Sequence, residues 1–128
     1  MTVLIEDLRT VINDNGVLFE PLNDHELTSQ GNVHVTLTEP GRVRGNHYHI
    51  AGREMITVFG ATLVRYREGE ATHEVVLADN EIKRFTFPAG VAHAFKNIGT
   101  KTSTQIAFNT EVHDPARPDT VKMVLIES

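Results

Sequence analysis

The stretch Gly41-Arg42-Val43-Arg44-Gly45-Asn46-His47-Tyr48-His49-Ile50-Ala51-Gly52-Arg53-Glu54-Met55-Ile56-Thr57-Val58-Phe59-Gly60 reads as two strand-like runs around a short turn. Side chains alternate faces along a strand, so His47 and His49 project from one face about two residue rises apart. The turn at Ile50 to Arg53 reverses the chain and returns Glu54 beside them. One hairpin thus gathers two imidazole nitrogens and a carboxylate oxygen, a donor set suited to a divalent metal ion. On the same parity Val43 and Gly45 are expected to point inward, Gly45 leaving room for a ligand, while Arg42 and Arg44 point away.

A second stretch, Pro88-Ala-Gly-Val-Ala-His93-Ala-Phe-Lys-Asn97, opens with a Pro-x-Gly turn that sets the start of the next strand and presents His93 inward as a fourth ligand. Around both stretches, apolar residues alternate or form short β-branched runs, at 33–37, 54–59, 61–66 and 71–77. Turn chemistry separates these runs at 39–41, 50–53, 68–70, 78–80, 88–90 and 99–101. Turns at such intervals mark a β-sandwich or barrel, with Ile56, Val58, Val64 and Phe95 as core and Tyr48, opposite in parity to the histidines, on the outer face or in a subunit contact. A helical turn is expected only in the first 14 residues or near Leu22 to Ser29.

Composition narrows the function. The 128 residues carry 12 basic and 17 acidic side chains, a net charge of −5, which lacks the basic footprint of a nucleic-acid binder. Apolar residues make up 40%, enough for one packed domain over 1–128, and no apolar run approaches a membrane span. The start, Met1-Thr-Val-Leu-Ile-Glu-Asp7, has acids where an export signal needs basic residues, so a cytoplasmic protein is expected. No cysteine is present, which leaves nitrogen and oxygen as the available metal ligands. Of seven histidines, His25, His34, His73 and His113 lack partners at ligand spacing and read as packing or surface residues.

The two stretches resemble the paired motifs of the cupin superfamily. Gly41, His47, His49 and Glu54 fit the first motif, whose closing glycine falls one position early at Gly60; Pro88, Gly90, His93 and Asn97 fit the second, whose leading glycine is replaced by Ile82. The resemblance implies an all-β fold, a small single-domain cupin β-barrel of jelly-roll (double-stranded β-helix) type. Within that superfamily, Arg44-Gly-Asn-His-Tyr-His49 and the tail Asp114-Pro-Ala-Arg-Pro-Asp-Thr120 are similar to the cupin domain of capsular polysaccharide reductase/epimerases, related to dTDP-4-dehydrorhamnose 3,5-epimerases.

This resemblance implies a sugar epimerase or isomerase of bacterial surface polysaccharide biosynthesis, acting on a nucleotide-linked keto-deoxysugar by proton removal next to the ketone. The chain has no Gly-x-Gly-x-x-Gly segment for a nicotinamide cofactor, so it would supply at most the epimerising part. One divalent ion, Zn, Fe, Mn or Ni, held by His47, His49, Glu54 and His93, would act as Lewis acid, with His47, His49 and Glu54 as catalytic residues. Arg53 is a candidate for the substrate diphosphate, and Tyr66 and Lys83 are candidates for contacting substrate and moving the proton. The alternatives are a metal-free acid/base pocket, a mononuclear iron or manganese dioxygenase, and a non-enzymatic sugar-binding cupin. A homodimer is expected, with Thr2 to Leu8 and Val121 to Ile126 as candidate cover for sheet edges.

Overall fold

The computed structural model describes residues 2–128. In chain order the strands are β1 (Leu4–Asp7), β2 (Thr10–Asn13), β3 (Gly16–Phe19), β4 (Asn32–Thr38), β5 (Val43–His49), β6 (Glu54–Phe59), β7 (Thr62–Glu68), β8 (Ala71–Leu77), β9 (Ile82–Phe87), β10 (Ala92–Asn97), β11 (Ser103–Asn109) and β12 (Thr120–Lys122). A single helical turn, α1 (Asp24–Leu27), lies between β3 and β4, closed by a reciprocal capping box between Asn23 and Glu26. The six turn segments read from the sequence fall between strands, apart from Glu68, the last residue of β7.

Two five-stranded antiparallel sheets, ordered β1-β9-β6-β11-β4 and β12-β5-β10-β7-β8, face each other as a cupin-type jelly roll. Their inner faces supply the core, in which Ile56, Val58, Val64, Phe85, Phe87 and Phe95 are buried. The aromatic layer of this core reaches the histidines, since the Phe87 ring stacks on His93 with centroids 4.3 Å apart.

Of the two stretches able to hold a helical turn, the one near Leu22 to Ser29 forms α1, whereas the first 14 residues, whose pattern suits a strand almost equally well, form β1 and β2. Position β9 would otherwise be an unpaired edge, and Leu4–Asp7 satisfies its backbone groups. Arg84 of β9 fixes this arm by binding Glu6 (2.9 Å), Glu26 (2.8 Å) and the Pro21 carbonyl (3.1 Å). The β2–β3 hairpin lies over the outer face of the first sheet through the edge-on pair Phe19 and Phe59. Both segments read as candidate cover for sheet edges pair with edge-side strands: Leu4–Asp7 pairs with β9 and β12 pairs with β5.

The parity expected for β5 is overturned by a bulge. Between β5 and β10 the register runs Val43 opposite Lys96, Arg44 opposite Phe95 and Gly45 opposite Ala94, then resumes at His47 opposite His93. Asn46 is the extra residue, and it shifts every later side chain to the other face. Arg44 therefore shares the face of the core residue Phe95, and Gly45 faces away, so neither Gly45 nor Val43 lies on the histidine face. Gly45 is needed for a different reason: it has φ +88°, and a Cβ there would stand 2.7 Å from the His93 carbonyl oxygen. Gly41 has a similar φ of +80° with open space around its Cβ position. Gly45→Ala should lower stability by about 1–3 kcal/mol and by more than Gly41→Ala, read as a drop in the urea midpoint. Equal costs would show that backbone conformation alone, not the close approach to β10, selects glycine.

Candidate functional site

Past the bulge, β5 points His47 and His49 into the sandwich, β6 begins with Glu54, and β10 brings His93 from the adjacent strand. One ligand-type atom from each of the four lies within 4.8 Å of all the others. Glu54 Oε2 is 2.9 Å from His49 Nε2, and Oε1 is 3.3 Å from His93 Nε2. Ligand atoms held about 2.1 Å from one ion stand about 3.0 Å apart at right angles and about 3.4 Å apart in a tetrahedron. Despite these distances, neither approach has the alignment of a hydrogen bond, and both nitrogens are buried without a partner. Nitrogens and carboxylate oxygens are thus aimed at a shared point rather than at each other.

Neighbours set the state of each ring. His93 Nδ1 faces the Val91 carbonyl at 3.1 Å; a carbonyl can only accept, so Nδ1 carries the proton and Nε2 presents a lone pair. Asn109 Nδ2 donates to Glu54 Oε2 (3.2 Å), orienting the carboxylate from β11. Burial works against ionised Glu54, but the approaches of His49 and His93 outweigh it and hold the carboxyl well below the usual carboxylate range. His47 is lowered to about 4, first by burial and then by the neighbouring His93 and His49, so it is neutral and free to ligate at physiological pH. His49 is raised: burial opposes this, but Glu54 and the Asp119 carboxylate, 3.6 Å from Nδ1, prevail. These residues fit a divalent cation: three imidazoles, one ionised carboxylate and no competing basic side chain within the group.

Three of the group, His47, His49 and Glu54, line a cavity of about 540 Å³, with His93 buried behind them; its walls include His34 of β4 and residues of the loop from Glu111 to Thr120. None of the three proposed substrate residues, Arg53, Tyr66 and Lys83, lines this cavity. Tyr66 is buried on the core side of the group, directly opposite His93 in the β7–β10 pairing, stacked on His73 (5.1 Å) and tilted against Phe87. Lys83 pairs with Asp7 at 2.8 Å, four residues along β9 from Phe87, the neighbour of Glu54, and so about 13 Å from the site. Arg53 turns outward beside the mouth, where its backbone N–H donates to Thr110 Oγ1.

Three residues that line the cavity had been given no chemistry. His34 follows from the alternation Val33-His34-Val35 once the inward face of β4 is known, because buried Thr38 shares its parity. Arg117 is the single Arg or Lys among the lining residues, and His113 joins it from the same loop. No local pattern could place that loop, since it is irregular and reaches the mouth only because β12 pairs with β5.

With this geometry in view, the comparisons place the molecule. The chain belongs to the polysaccharide biosynthesis C-terminal domain family, whose model matches residues 12–121. It is similar to the capsular polysaccharide assembling protein CapF from Staphylococcus aureus at 25% identity and TM-score 0.67, covering 91% of this chain and 34% of CapF. This chain therefore spans about a third of the length of that relative. The 3,4-ketoisomerase QdtA from Thermoanaerobacterium thermosaccharolyticum matches at TM-score 0.73 and 14% identity, over 93% of this chain and 86% of QdtA. The rmlC epimerase of Mycobacterium tuberculosis matches at TM-score 0.69 and 20% identity, over 90% of this chain and 66% of that one. At the identities of these two enzymes the likeness is one of fold. Among curated proteins, none matches this chain in sequence.

The lowered His47 gives the metal-free protein a pH signature. Between about 4 and 6.5 the unfolded chain binds a proton at this ring that the folded chain does not, so stability falls as pH drops through that window. His49 is raised and is protonated in both states there, and Glu54 loses its contribution only below its unfolded value of 4.5. Chelator-treated protein should therefore show a lower urea midpoint near pH 5 than near pH 6, below the range in which His49 titrates, and His47→Asn should flatten that slope. An unchanged slope in the variant would assign the effect elsewhere.

Proposed function

We propose that the protein is a sugar epimerase or isomerase that acts on a nucleotide-linked keto-deoxysugar in the making of a bacterial surface polysaccharide, removing a proton from the carbon next to the ketone. The observation that carries this reading is the convergence of His47, His49, Glu54 and His93, the first three of which line an open cavity, in a chain of a polysaccharide biosynthesis family. The related folds of QdtA and the rmlC epimerase support it.

In this reading His47, His49, Glu54 and His93 hold one divalent ion. When bound, the ion supplies Lewis acidity toward the carbonyl oxygen and the enolate charge that develops on it. Charge supports that assignment: the cavity carries four carboxylates, Glu54, Glu111, Asp114 and Asp119, against the one guanidinium of Arg117, a balance that attracts a cation to the floor. An anionic diphosphate is then held at the rim, by the planar fork of Arg117. His34, on the inward face of β4 and close enough to His47 to lower its proton affinity, is the side chain assigned to move the substrate proton. Two copies pair through β4, whose edge exposes Val33, Val35 and Leu37 in a row.

A second reading rests on one contact. His49 stands between two carboxylates, Glu54 at 2.9 Å and Asp119 at 3.6 Å, the setting of an imidazole that gives and takes protons without a metal. Metal analysis separates the two readings. The metal-dependent form predicts about one equivalent of divalent ion per chain in purified protein and, in heavy water with a UDP- or dTDP-4-keto-6-deoxysugar, deuterium entering next to the ketone. Chelation, His47→Ala or Glu54→Ala should abolish that exchange, His34→Asn should stop it with the metal retained, and Arg117→Ala should chiefly raise KM. Exchange that survives complete metal removal would decide for the acid/base form. No exchange with any of several keto sugars would sink both.

A further inference from the structure

We infer that Asn46 is a positioning residue for the candidate site, acting as the latch of a C-terminal strap that holds β5 in the conformation its histidines need. The inference rests on the assignment of His47 and His49 to the site proposed above. Its starting observation is the use Asn46 makes of its side chain. The amide oxygen accepts from the backbone N–H of Leu125 (2.8 Å) and of Ile126 (3.1 Å), and the amide nitrogen donates to the Ile126 carbonyl (2.9 Å). The Asn46 carbonyl also accepts from Met123 N–H at 2.8 Å.

Asn46 is at the same time the bulge residue of β5 and has a left-handed backbone, φ 59°, the one such value at a non-glycine among the described residues. Asparagine tolerates this conformation better than other non-glycine residues, but glycine would meet it with less strain. Backbone demand alone therefore does not account for asparagine, and the amide does. It converts an unavoidable irregularity of β5 into the attachment point of another segment.

That segment runs along the whole histidine-bearing part of β5. Thr120, Val121 and Lys122 pair with His49, Tyr48 and His47 in that order. Asp119 closes its far end: the carbonyl accepts from Ile50 N–H (2.8 Å), and the carboxylate accepts from Ala51 and Gly52 N–H (2.9 Å each). At the near end, Arg65 donates to the Leu125 carbonyl (2.7 Å), and the Ile126 side chain is buried. His47 and His49 thus sit on a strand clamped between β10, which carries His93, and the strap. Of the strap, residues 122–126 lie beyond the part of the chain that the family model matches.

A strand held on both edges keeps its side chains closer to one geometry than an edge strand does, and groups that orient ligating imidazoles typically change metal affinity by about 10–100-fold when lost. The test compares wild type, Asn46→Gly, which keeps the backbone conformation and deletes the latch, Asn46→Asp, which keeps the acceptor oxygen and loses the donor, and a chain ending at Lys122. Each is titrated with Co2+, followed by its visible absorption, and the ring signals of the histidines are recorded by NMR on metal-free protein. For Asn46→Gly and the shortened chain we expect Co2+ affinity to fall by about tenfold or more, the ring signals of His47 and His49 to move, that of His73, on β8, to stay, and Ala51 and Gly52 to lose protection from amide exchange. Asn46→Asp should fall between these and wild type. Loss of amide protection at 123–126 with unchanged His47 and His49 signals would overturn the proposal, since the latch would then order only the tail. If wild type itself takes up no Co2+, the metal reading fails, and the ring signals alone decide the latch.

Discussion

A carboxylate that is 2% exposed must find partners or give up its charge, and the arrangement of this molecule around Glu54 follows from that demand. Glu54 is met by His49 from β5, His93 from β10 and Asn109 from β11, so both sheets are tied together at one end of the sandwich. Asn109 also accepts from Glu111 N–H and so starts the loop that walls the cavity. Space for these contacts is narrow: any Cβ at Gly52 would collide with the Asn109 amide and the Asp119 carboxylate, which accounts for a glycine in the turn that delivers Glu54. Phe87, stacked on His93, closes the group from the core side and keeps water from competing for it.

The bulge at Gly45 and Asn46 answers the same demand at the level of the backbone. Without the extra residue, the face of β5 that carries Arg44 into register with Phe95 would turn His47 and His49 away from Glu54. The chain accepts two consecutive left-handed residues to change faces midway along a strand. A bulge beside a site that re-aims side chains is a common use of the device.

Arginine has a different use here from the one its abundance suggests. Arg84 fastens the N-terminal arm through Glu6 and Glu26, and Arg65 joins Glu74 to the C-terminal strap. Both act as ties between a sheet and a segment lying across it, where a rigid fork can bind two partners at once. Arg117 lines the cavity, where Glu54, Glu111, Asp114 and Asp119 supply four carboxylates.

Much of the fold was legible because it depends on local signals. Alternating apolar residues and short turns mark the strand boundaries from β4 to β11 except that between β6 and β7, and the resemblance of the two histidine motifs to those of cupins selects a jelly roll among β-sandwiches. Membership of the four-residue group was legible for the same reason: His47, His49 and Glu54 lie in one hairpin, and a Pro-x-Gly turn introduces His93. The parity of residues 43–45 was not, because a bulge is set by how β5 must meet β10, and sequence alternation carries no record of it. Nor were the positions of His34, His113, Arg117, Asp119 and Asn46, since each depends on a contact between segments some 65 to 80 residues apart or on a loop placed by such a contact. Tyr66 and Lys83 had the right chemistry for substrate, but neither lines the cavity: Tyr66 is buried opposite His93, and Lys83 lies at the far end of β9. Residue types and spacing by themselves determined the class of fold and the donor set; tertiary structure decided which side chains share the cavity with them, because long-range strand pairing, not local sequence, sets which ends of the sheets meet.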